Sequence, residues 1–160
     1  MSYFTTVLAR EGRTWSVHDL DVDALDTLRE LAAELRVVVA GDDAPVLLLV
    51  EREDAWWGVV RVDGEEDPRV FVSDAAGAAA SPYAGILEVV VAPDSDDDEG
   101  DEDDEDAVRP TCAGDFDVLA DLGTTPEALQ EMCDDEMLPM DALAVVAEAA
   151  GFAEVLDSLR

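Results

Sequence analysis

Short apolar runs separated by polar turns dominate the N-terminal part of the chain. Residues 3–9 and 14–20 are rich in β-branched and aromatic side chains, and Glu11-Gly12 between them favours a turn, so the two runs predict a β-hairpin. Further strand-like runs lie at residues 46–52, 56–62, 69–73 and 86–91. The spacing of these runs predicts a small, mostly antiparallel sheet.

Helical spacing occurs at two places between the strand-like runs. Leucine and alanine residues at positions 25, 28, 31, 32 and 35 recur every three or four residues, and Asp21 or Asp23 is suited to cap this helix. A shorter helix is expected at residues 75–80. The pattern therefore predicts an α+β fold in which one or two helices pack on a face of the sheet.

The sequence pattern predicts that the C-terminal part of the chain is helical throughout. Helices are expected at residues 116–122, capped by Asp115, at 126–136, which starts with a hydroxyl cap and a proline, at 139–150 and at 152–159. Gly123 and Gly151 are placed to end two of them. Their predicted core consists of Leu119, Leu122, Leu129, Met132, Leu138, Leu143, Val146 and Phe152.

Charge divides the chain into three parts. Residues 1–93 carry 18 acidic residues and 7 arginines, residues 94–106 hold 11 acidic residues in 13 positions, and residues 107–160 carry 12 acidic residues and 2 arginines. The middle part has no apolar side chain to bury, and its like charges repel one another. We therefore predict an α+β domain at 1–93, an acidic disordered linker at 94–106 and a small helical module at 107–160.

The overall charge limits the partners. The 160 residues include 41 acidic and 9 basic residues, which gives a formal net charge of −32. Such a polyanion is repelled by nucleic acid and by anionic membranes, so neither is expected as a direct partner. The N-terminus lacks a signal-peptide pattern, and the longest uncharged apolar run, residues 44–50, is far shorter than the roughly 20 residues that span a bilayer. We expect a cytoplasmic protein.

Residue types that bind metals or act as nucleophiles are few. Cys112 and Cys133 lie 21 positions apart, neither belongs to a CxxC pair, and the single histidine is His18. We expect free, partly buried thiols, no metal site and no cofactor. The acidic residues 134–136 should raise the pKa of Cys133, which is the reverse of what a nucleophilic thiol needs.

No catalytic signature is present. The sequence contains no G-x-S-x-G, no P-loop and no G-x-G-x-x-G, and carboxylates are so numerous that a pair of them carries little information. The acidic run does not match a calcium-binding loop, because Ser95 takes the first position when Gly100 takes the sixth. We predict that the protein is not an enzyme; the alternative, an unrecognised active site, would require a deep pocket with converging polar groups within residues 1–93.

The adjacent tryptophans Trp56 and Trp57 are the most informative surface candidates. Neighbours in a strand point to opposite faces, so if Arg61 faces solvent then Trp57 and Val59 do as well. Trp57, Val59 and Arg61 are therefore a candidate interface for a partner protein. The alternative is that a helix covers this face of the sheet, which the apolar run 46–50 also suggests.

Several segments resemble a known family. The opening MSYFTTVLAREGRTW, the stretch VRVDGEEDPRVFVSDA at residues 60–75 and the stretch DLGTTPEALQEMC at residues 121–133 are similar to the actinobacterial family of tRNA adenosine deaminase-associated proteins. The resemblance extends over nearly the whole chain outside the acidic run. It implies association with a tRNA adenosine deaminase and carries no catalytic residues. The chain also lacks the H-x-E and P-C-x-x-C motifs with which deaminases hold zinc.

Two functions are consistent with these observations. The first is a non-enzymatic accessory protein that docks on a basic protein partner, with the tRNA adenosine deaminase as the favoured partner. The second is an acidic nucleic-acid mimic that blocks nucleic-acid-binding sites on basic proteins in general. Deletion of residues 94–106 distinguishes them, because mimicry should lose most of its binding without that run.

Overall fold

The α+β class predicted from the sequence is confirmed. The computed structural model describes residues 3–11, 14–39, 45–52, 55–63, 67–87, 112–135 and 137–159. Six strands form one antiparallel sheet, in the order β2-β1-β3-β4-β5-β6. The strands are β1 Tyr3–Glu11, β2 Thr14–His18, β3 Pro45–Arg52, β4 Trp56–Asp63, β5 Arg69–Val72 and β6 Ala113–Gly114. The helices are α1 Leu28–Val39, α2 Ala75–Ala79, α3 Pro126–Asp134, α4 Pro139–Ala150 and α5 Ala153–Ser158.

Both faces of the sheet are buried, each by a different set of helices. Alternate residues of β3 separate into two hydrophobic clusters, with Val46, Leu48 and Val50 in one and Leu47 and Leu49 in the other. This alternation follows from the two-residue period of a strand. A strand covered on both sides reads as an unbroken apolar run, which explains why residues 46–50 show no polar alternation.

The first face is covered by α1 together with residues 75–87. Leu28, Leu31 and Leu35 of α1 are buried against this face, as the helical spacing predicted. Trp56 belongs to the same cluster, where its ring meets that of Tyr3 edge-on with centroids 6.4 Å apart.

The second face is covered by α3, α4 and α5, which form the helical layer. α4 contacts β3 and β4, and α5 contacts β2. The indole Nε1 of Trp15 donates a hydrogen bond to the carbonyl oxygen of Ala150 at 3.2 Å, and the Trp15 and Phe152 rings pack edge-on at 5.1 Å. The helical layer and the sheet therefore share one hydrophobic cluster.

A short strand at the far edge joins the C-terminal segment to the sheet. β6 pairs with β5 through Phe71 opposite Gly114 and Val72 opposite Ala113. Two residues carry too little pattern to be recognised as a strand, and the sequence analysis missed it.

Three local expectations are wrong. The long helix begins after Thr27, whose Oγ1 accepts the Glu30 amide at 3.1 Å, whereas Asp21 precedes a separate 3₁₀ turn without a side-chain cap. A strand was expected at residues 86–91, but residues 85–87 form a 3₁₀ turn, and residues 88–91 lie outside the described residues. Residues 120–122 form only a 3₁₀ turn that ends at Gly123 in the left-handed region, where an α-helix over 116–122 was expected.

One predicted core residue lies at the surface. Leu138 is 52% exposed, whereas the other seven members of the predicted C-terminal core are buried. Leu138 precedes Pro139, which disfavours the α conformation at the residue before it, and its ψ of 148° is extended. The side chain therefore falls outside the periodicity of α4.

The acidic run 94–106 lies outside the described residues. The division of the chain at that run into separate domains stays a prediction. Within the described residues, segments from both sides of it, 3–87 and 112–159, contribute to one sheet and one shared cluster.

Candidate functional site

The predicted interface residues Trp57, Val59 and Arg61 lie together on one face of β4. The predicted parity is correct, because Trp56, Val60 and Val62 lie on the opposite face. The helical layer and the segment before it cover Trp57, Val59 and Arg61, which are 2%, 0% and 4% exposed. A partner could contact them only if that layer moved away, so their role in an interface stays a prediction.

Arg61 anchors the segment before α3 to the sheet through several hydrogen bonds. Its Nη1 donates to Asp121 Oδ1 at 2.6 Å and to the carbonyl oxygen of Val118 at 2.8 Å, and its Nη2 donates to Asp121 Oδ2 at 2.9 Å. Its Nε donates to Asp63 Oδ1 at 3.0 Å. Both carboxylate oxygens of Asp121 are thus held by one guanidinium, the two-pronged geometry that favours arginine over lysine.

The contact between Arg61 and Asp121 stabilises the charged form of each side chain. Burial of Arg61 opposes its positive charge, but hydrogen bonds with Asp121 and Asp63 outweigh that cost and raise its pKa. The hydrogen bonds from Arg61 lower the pKa of Asp121. Arg61 therefore holds the C-terminal segment against the sheet. Its positive charge is paired with the carboxylates of Asp63 and Asp121.

The outer surface of the helical layer is uniformly acidic. In residues 112–135 and 137–159, every described charged side chain is Asp or Glu. Nearly all of these carboxylates are exposed, including Asp134, Asp135, Asp141 and Glu148. The only charge of opposite sign brought to these carboxylates by a described ion pair comes from Arg61 and Arg69, both of which belong to the sheet.

An apolar patch interrupts this acidic surface. It consists of Leu138, Met140 and Val145, which are 52%, 56% and 44% exposed and lie in α4 or immediately before it. We call these three residues the α4 patch. At the helical spacing of α4, Asp141 and Glu148 fall between Met140 and Val145 on the exposed side, so acidic side chains alternate with the apolar ones.

The α1 side of the molecule carries charges of both signs. Exposed or half-buried side chains of α1 include Arg29 and Arg36 as well as Glu30 and Glu34. Val37, at 70% exposure, is a single apolar residue among mixed charges. The two outer surfaces therefore differ in charge, and the helical layer combines an anionic surface with exposed apolar side chains.

A cavity of about 390 Å³ opens at the sheet edge beside β1 and β2. Its lining includes Thr5, Thr6, His18 and Asp19. The Oγ of Ser16 lies 3.0 Å from His18 Nε2, but Ser16 does not line the cavity, and its hydroxyl also lies 3.3 Å from the Ala9 carbonyl oxygen. His18 and Ser16 thus take part in the hydrogen bonding of the β1–β2 strand pair.

Cys112 and Cys133 are both free thiols and half-buried at the rim of the cluster under the helical layer. The pKa of Cys133 is raised, first by burial, then by a hydrogen bond with Cys112 and by the nearby charges, among them Asp134. The prediction that neighbouring acids raise the pKa of Cys133 is correct in direction, although burial is the larger cause.

Among the described residues we find neither a metal-binding cluster nor a membrane-spanning helix. They contain no group of three or more His, Cys, Asp or Glu side chains placed to hold a metal ion. None of their helices combines the length and the hydropathy needed to cross a membrane.

Comparison with known proteins identifies the family. A family model described as Rv3753c-like tRNA adenosine deaminase-associated protein matches residues 3–153, which is most of the chain. The chain belongs to this family. The resemblance read from the sequence motifs is thereby confirmed. Separate searches among curated proteins and among solved structures find no match.

The match to the tRNA adenosine deaminase-associated family runs from β1 into α5, so it includes the sheet and the helical layer together. Two features of the candidate site were not predicted from the sequence. The pairing of Arg61 with Asp121 joins residues 60 positions apart, and no local pattern reveals it. The exposure of Leu138 could have been anticipated from the proline that follows it.

Proposed function

We propose that this protein is a non-enzymatic accessory protein that docks on a basic protein partner, and that the partner is a tRNA adenosine deaminase. The observation that carries the proposal is the outer surface of the helical layer, where the α4 patch is exposed and every described charged side chain is acidic. The family description, which names association with a tRNA adenosine deaminase, supports the choice of partner.

The chemistry of the surface defines the partner that fits it. Exposed apolar side chains provide surface that a partner protein can bury. The carboxylates beside them attract a surface of arginine and lysine and speed its association, while they repel other acidic proteins and nucleic acid. An enzyme that acts on tRNA must present a positively charged surface to phosphate, so such an enzyme offers the required complement.

The α4 patch provides a direct test. The variant with Leu138→Ser, Met140→Ser and Val145→Ser should bind a purified tRNA adenosine deaminase at least about tenfold more weakly than the native chain, because exposed apolar anchors provide much of the affinity of such contacts. The measurement is titration calorimetry at low salt and at high salt. Binding by the native chain should weaken as salt rises, since salt screens exposed charges.

Val37→Ser is the matched control. It removes an exposed valine from α1, where charges of both signs occur, and should leave the affinity unchanged. Equal affinity of the triple variant and the native chain would exclude the α4 patch as the docking surface. Absence of binding by the native chain at every salt concentration would overturn the proposed function itself.

The alternative function, an acidic nucleic-acid mimic, is supported by the density of carboxylates at residues 94–106. A chain lacking these 13 residues should retain most of its affinity if the α4 patch is the docking surface. Loss of most of the affinity on deletion, together with unchanged binding by the triple serine variant, would favour mimicry.

A further inference from the structure

The N-terminal end of β1 extends beyond the strand that pairs with its outer side. β1 pairs with β3 over residues 3–9, but β2 pairs with it only over residues 7–11. β2 ends at His18, and residues 19–21 do not belong to a strand. The part of β1 before Val7 is therefore an edge of the sheet on the side where β2 ends.

The direction of the Thr5 backbone follows from the hydrogen-bond pattern of the sheet. In an antiparallel sheet the N–H and C=O groups of one residue point to the same neighbouring strand, and those of the next residue point to the other. The Ser73 amide donates to the Trp57 carbonyl oxygen at 2.8 Å, so the backbone groups of Trp57 point toward β5 and those of Gly58 toward β3. Gly58 lies opposite Val50, and Val50 lies opposite Thr5. The same alternation therefore points the N–H and C=O groups of Thr5 away from β3.

The cavity of about 390 Å³ lies on this side of Thr5. Its lining combines Thr5, Thr6 and Val7 of β1 with residues 18–21. Within the part of the chain that the structure describes, no backbone hydrogen bond joins Thr5 to residues 19–21. The Thr5 N–H and C=O groups are thus available to a ligand in the cavity, whose volume is in the range of pockets that hold small ligands.

The charges around the cavity favour a basic ligand. Asp19 and Asp21 are exposed and line it, and no arginine is among its described lining residues. We propose that an extended, basic segment of another protein binds here by strand addition. Its backbone pairs with Thr5 where β2 has ended, and its arginine or lysine side chain lies beside Asp19 and Asp21. The inference does not rest on the proposed function, because the cavity and the α4 patch share no residue.

The proposal is tested on the full chain, labelled with ¹⁵N, by titration with the peptide acetyl-Thr-Val-Arg-Val-Thr-amide. In amide correlation spectra the signals of Thr5 and of residues 18–21 should shift, with Thr5 moving downfield because its N–H gains a hydrogen bond. Absence of a shift at Thr5 would overturn the proposal.

Two N-methylated peptides test strand addition on the native chain. One is methylated at the arginine nitrogen and the other at the nitrogens of the two valines. The single arginine fixes the register, and only alternate residues of an added strand face β1. One derivative should therefore bind like the parent peptide and the other at least about tenfold more weakly, whereas equal affinities would overturn strand addition.

Thr5→Pro tests the backbone contact from the side of the protein. Proline removes the N–H group that faces the cavity and leaves the hydrogen bonds between β1 and β3 intact, as edge positions allow. Thr5→Pro should bind the parent peptide at least about fivefold more weakly than the native chain, and Thr5→Ala, which keeps the N–H, should bind it within about twofold of the native chain. Equal weakening in both variants would contradict a backbone contact. The methylated peptides decide the same question on the native chain if Thr5→Pro does not fold.

A peptide with glutamine in place of the arginine tests the charge. At low salt it should bind the native chain at least about fivefold more weakly than the parent peptide. The double variant Asp19→Asn with Asp21→Asn should bind the two peptides about equally. The matched control, Asp23→Asn with Asp26→Asn, removes two exposed carboxylates outside the cavity lining and should keep the preference for arginine. Equal affinity of the native chain for both peptides would overturn the choice of a basic ligand.

Discussion

At the scale of the residue, Arg61 shows how a buried positive charge is satisfied inside this acidic protein. Its guanidinium is buried and meets two carboxylates and a backbone carbonyl. Removing two charges from water is costly, so a buried pair is stable only when its remaining hydrogen-bonding groups are satisfied. Here Asp121 keeps much of its own side chain in water, at 64% exposure, which lowers the desolvation cost of the contact.

Asp121→Asn should destabilise the fold by about 1–2 kcal/mol, because the amide keeps one acceptor for Arg61 but loses the charge-assisted second hydrogen bond. The measurement is the free energy of unfolding in urea. Asp117→Asn is the matched control, since Asp117 is an exposed carboxylate four residues earlier and the described hydrogen bonds of Arg61 go to Asp63, Val118 and Asp121 instead. An equal loss of stability in both variants would show that the effect is not specific to the contact with Arg61.

The difference in stability between the native chain and Asp121→Asn should depend on pH. The pKa of Asp121 is lowered in the folded state below the ordinary value of 3.8, so its stabilising contribution is fully present above that value and disappears as pH falls through the lowered pKa. The difference should therefore be constant between about pH 7 and about pH 5 and shrink below about pH 4. Comparing the two chains at each pH cancels the titration of the other carboxylates, and a difference that grows in acid would contradict the assignment.

At the scale of the element, the helices and strands with clear caps, turns or apolar runs in the sequence were predicted correctly. α3 and α4 begin at prolines and are bounded by recognisable residues, since Thr125 caps α3 and Gly151 ends α4 with a φ of 99°. The strands β1 to β5 were predicted because their apolar runs are separated by turns. The wrong helix start at Asp21 came from overlooking Thr27-Leu28-Arg29-Glu30, which has the spacing of a capping box.

The candidate site was less predictable than the elements. Parity along β4 correctly grouped Trp57, Val59 and Arg61 on one face, but periodicity within one strand does not say what covers that face. The cover comes from helices more than 60 residues later, and it is held partly by the pairing of Arg61 with Asp121. Such contacts depend on tertiary packing, which leaves no mark on local spacing.

Thr125→Ala tests the start of α3. The Thr125 Oγ1 accepts a hydrogen bond from the Ala128 amide at 3.1 Å, so its loss should destabilise the fold by about 1 kcal/mol. Thr125→Ser keeps the hydroxyl and should recover most of that stability. Both variants are compared with the native chain by thermal unfolding, and a serine variant as unstable as the alanine variant would show that the methyl group, not the cap, is responsible.

At the scale of the whole molecule, the sheet acts as a partition between two cores. One core lies between the sheet and α1, and the other lies between the sheet and the helical layer. The strands β3 and β4 contribute side chains to both cores, so packing lost on one side weakens the elements on the other. The same arrangement places the acidic surface and the α4 patch on the side away from α1, where a partner can reach them without contacting the mixed charges of that helix.

This shared sheet leads to a prediction about unfolding. The three tryptophans lie in β2 and β4, so their fluorescence reports on the sheet, whereas far-ultraviolet circular dichroism reports mainly on the helices. Because both cores depend on the same strands, the two signals should change at one urea concentration.

Leu143→Ala, which empties a buried position of α4, should lower the free energy of unfolding by about 2–5 kcal/mol and move both signals together. Leu31→Ala, at a buried position of α1 in the other core, should also move both signals. If Leu143→Ala instead lost helical signal while tryptophan fluorescence stayed native, the helical layer would be an independent domain, as the charge pattern along the sequence predicts.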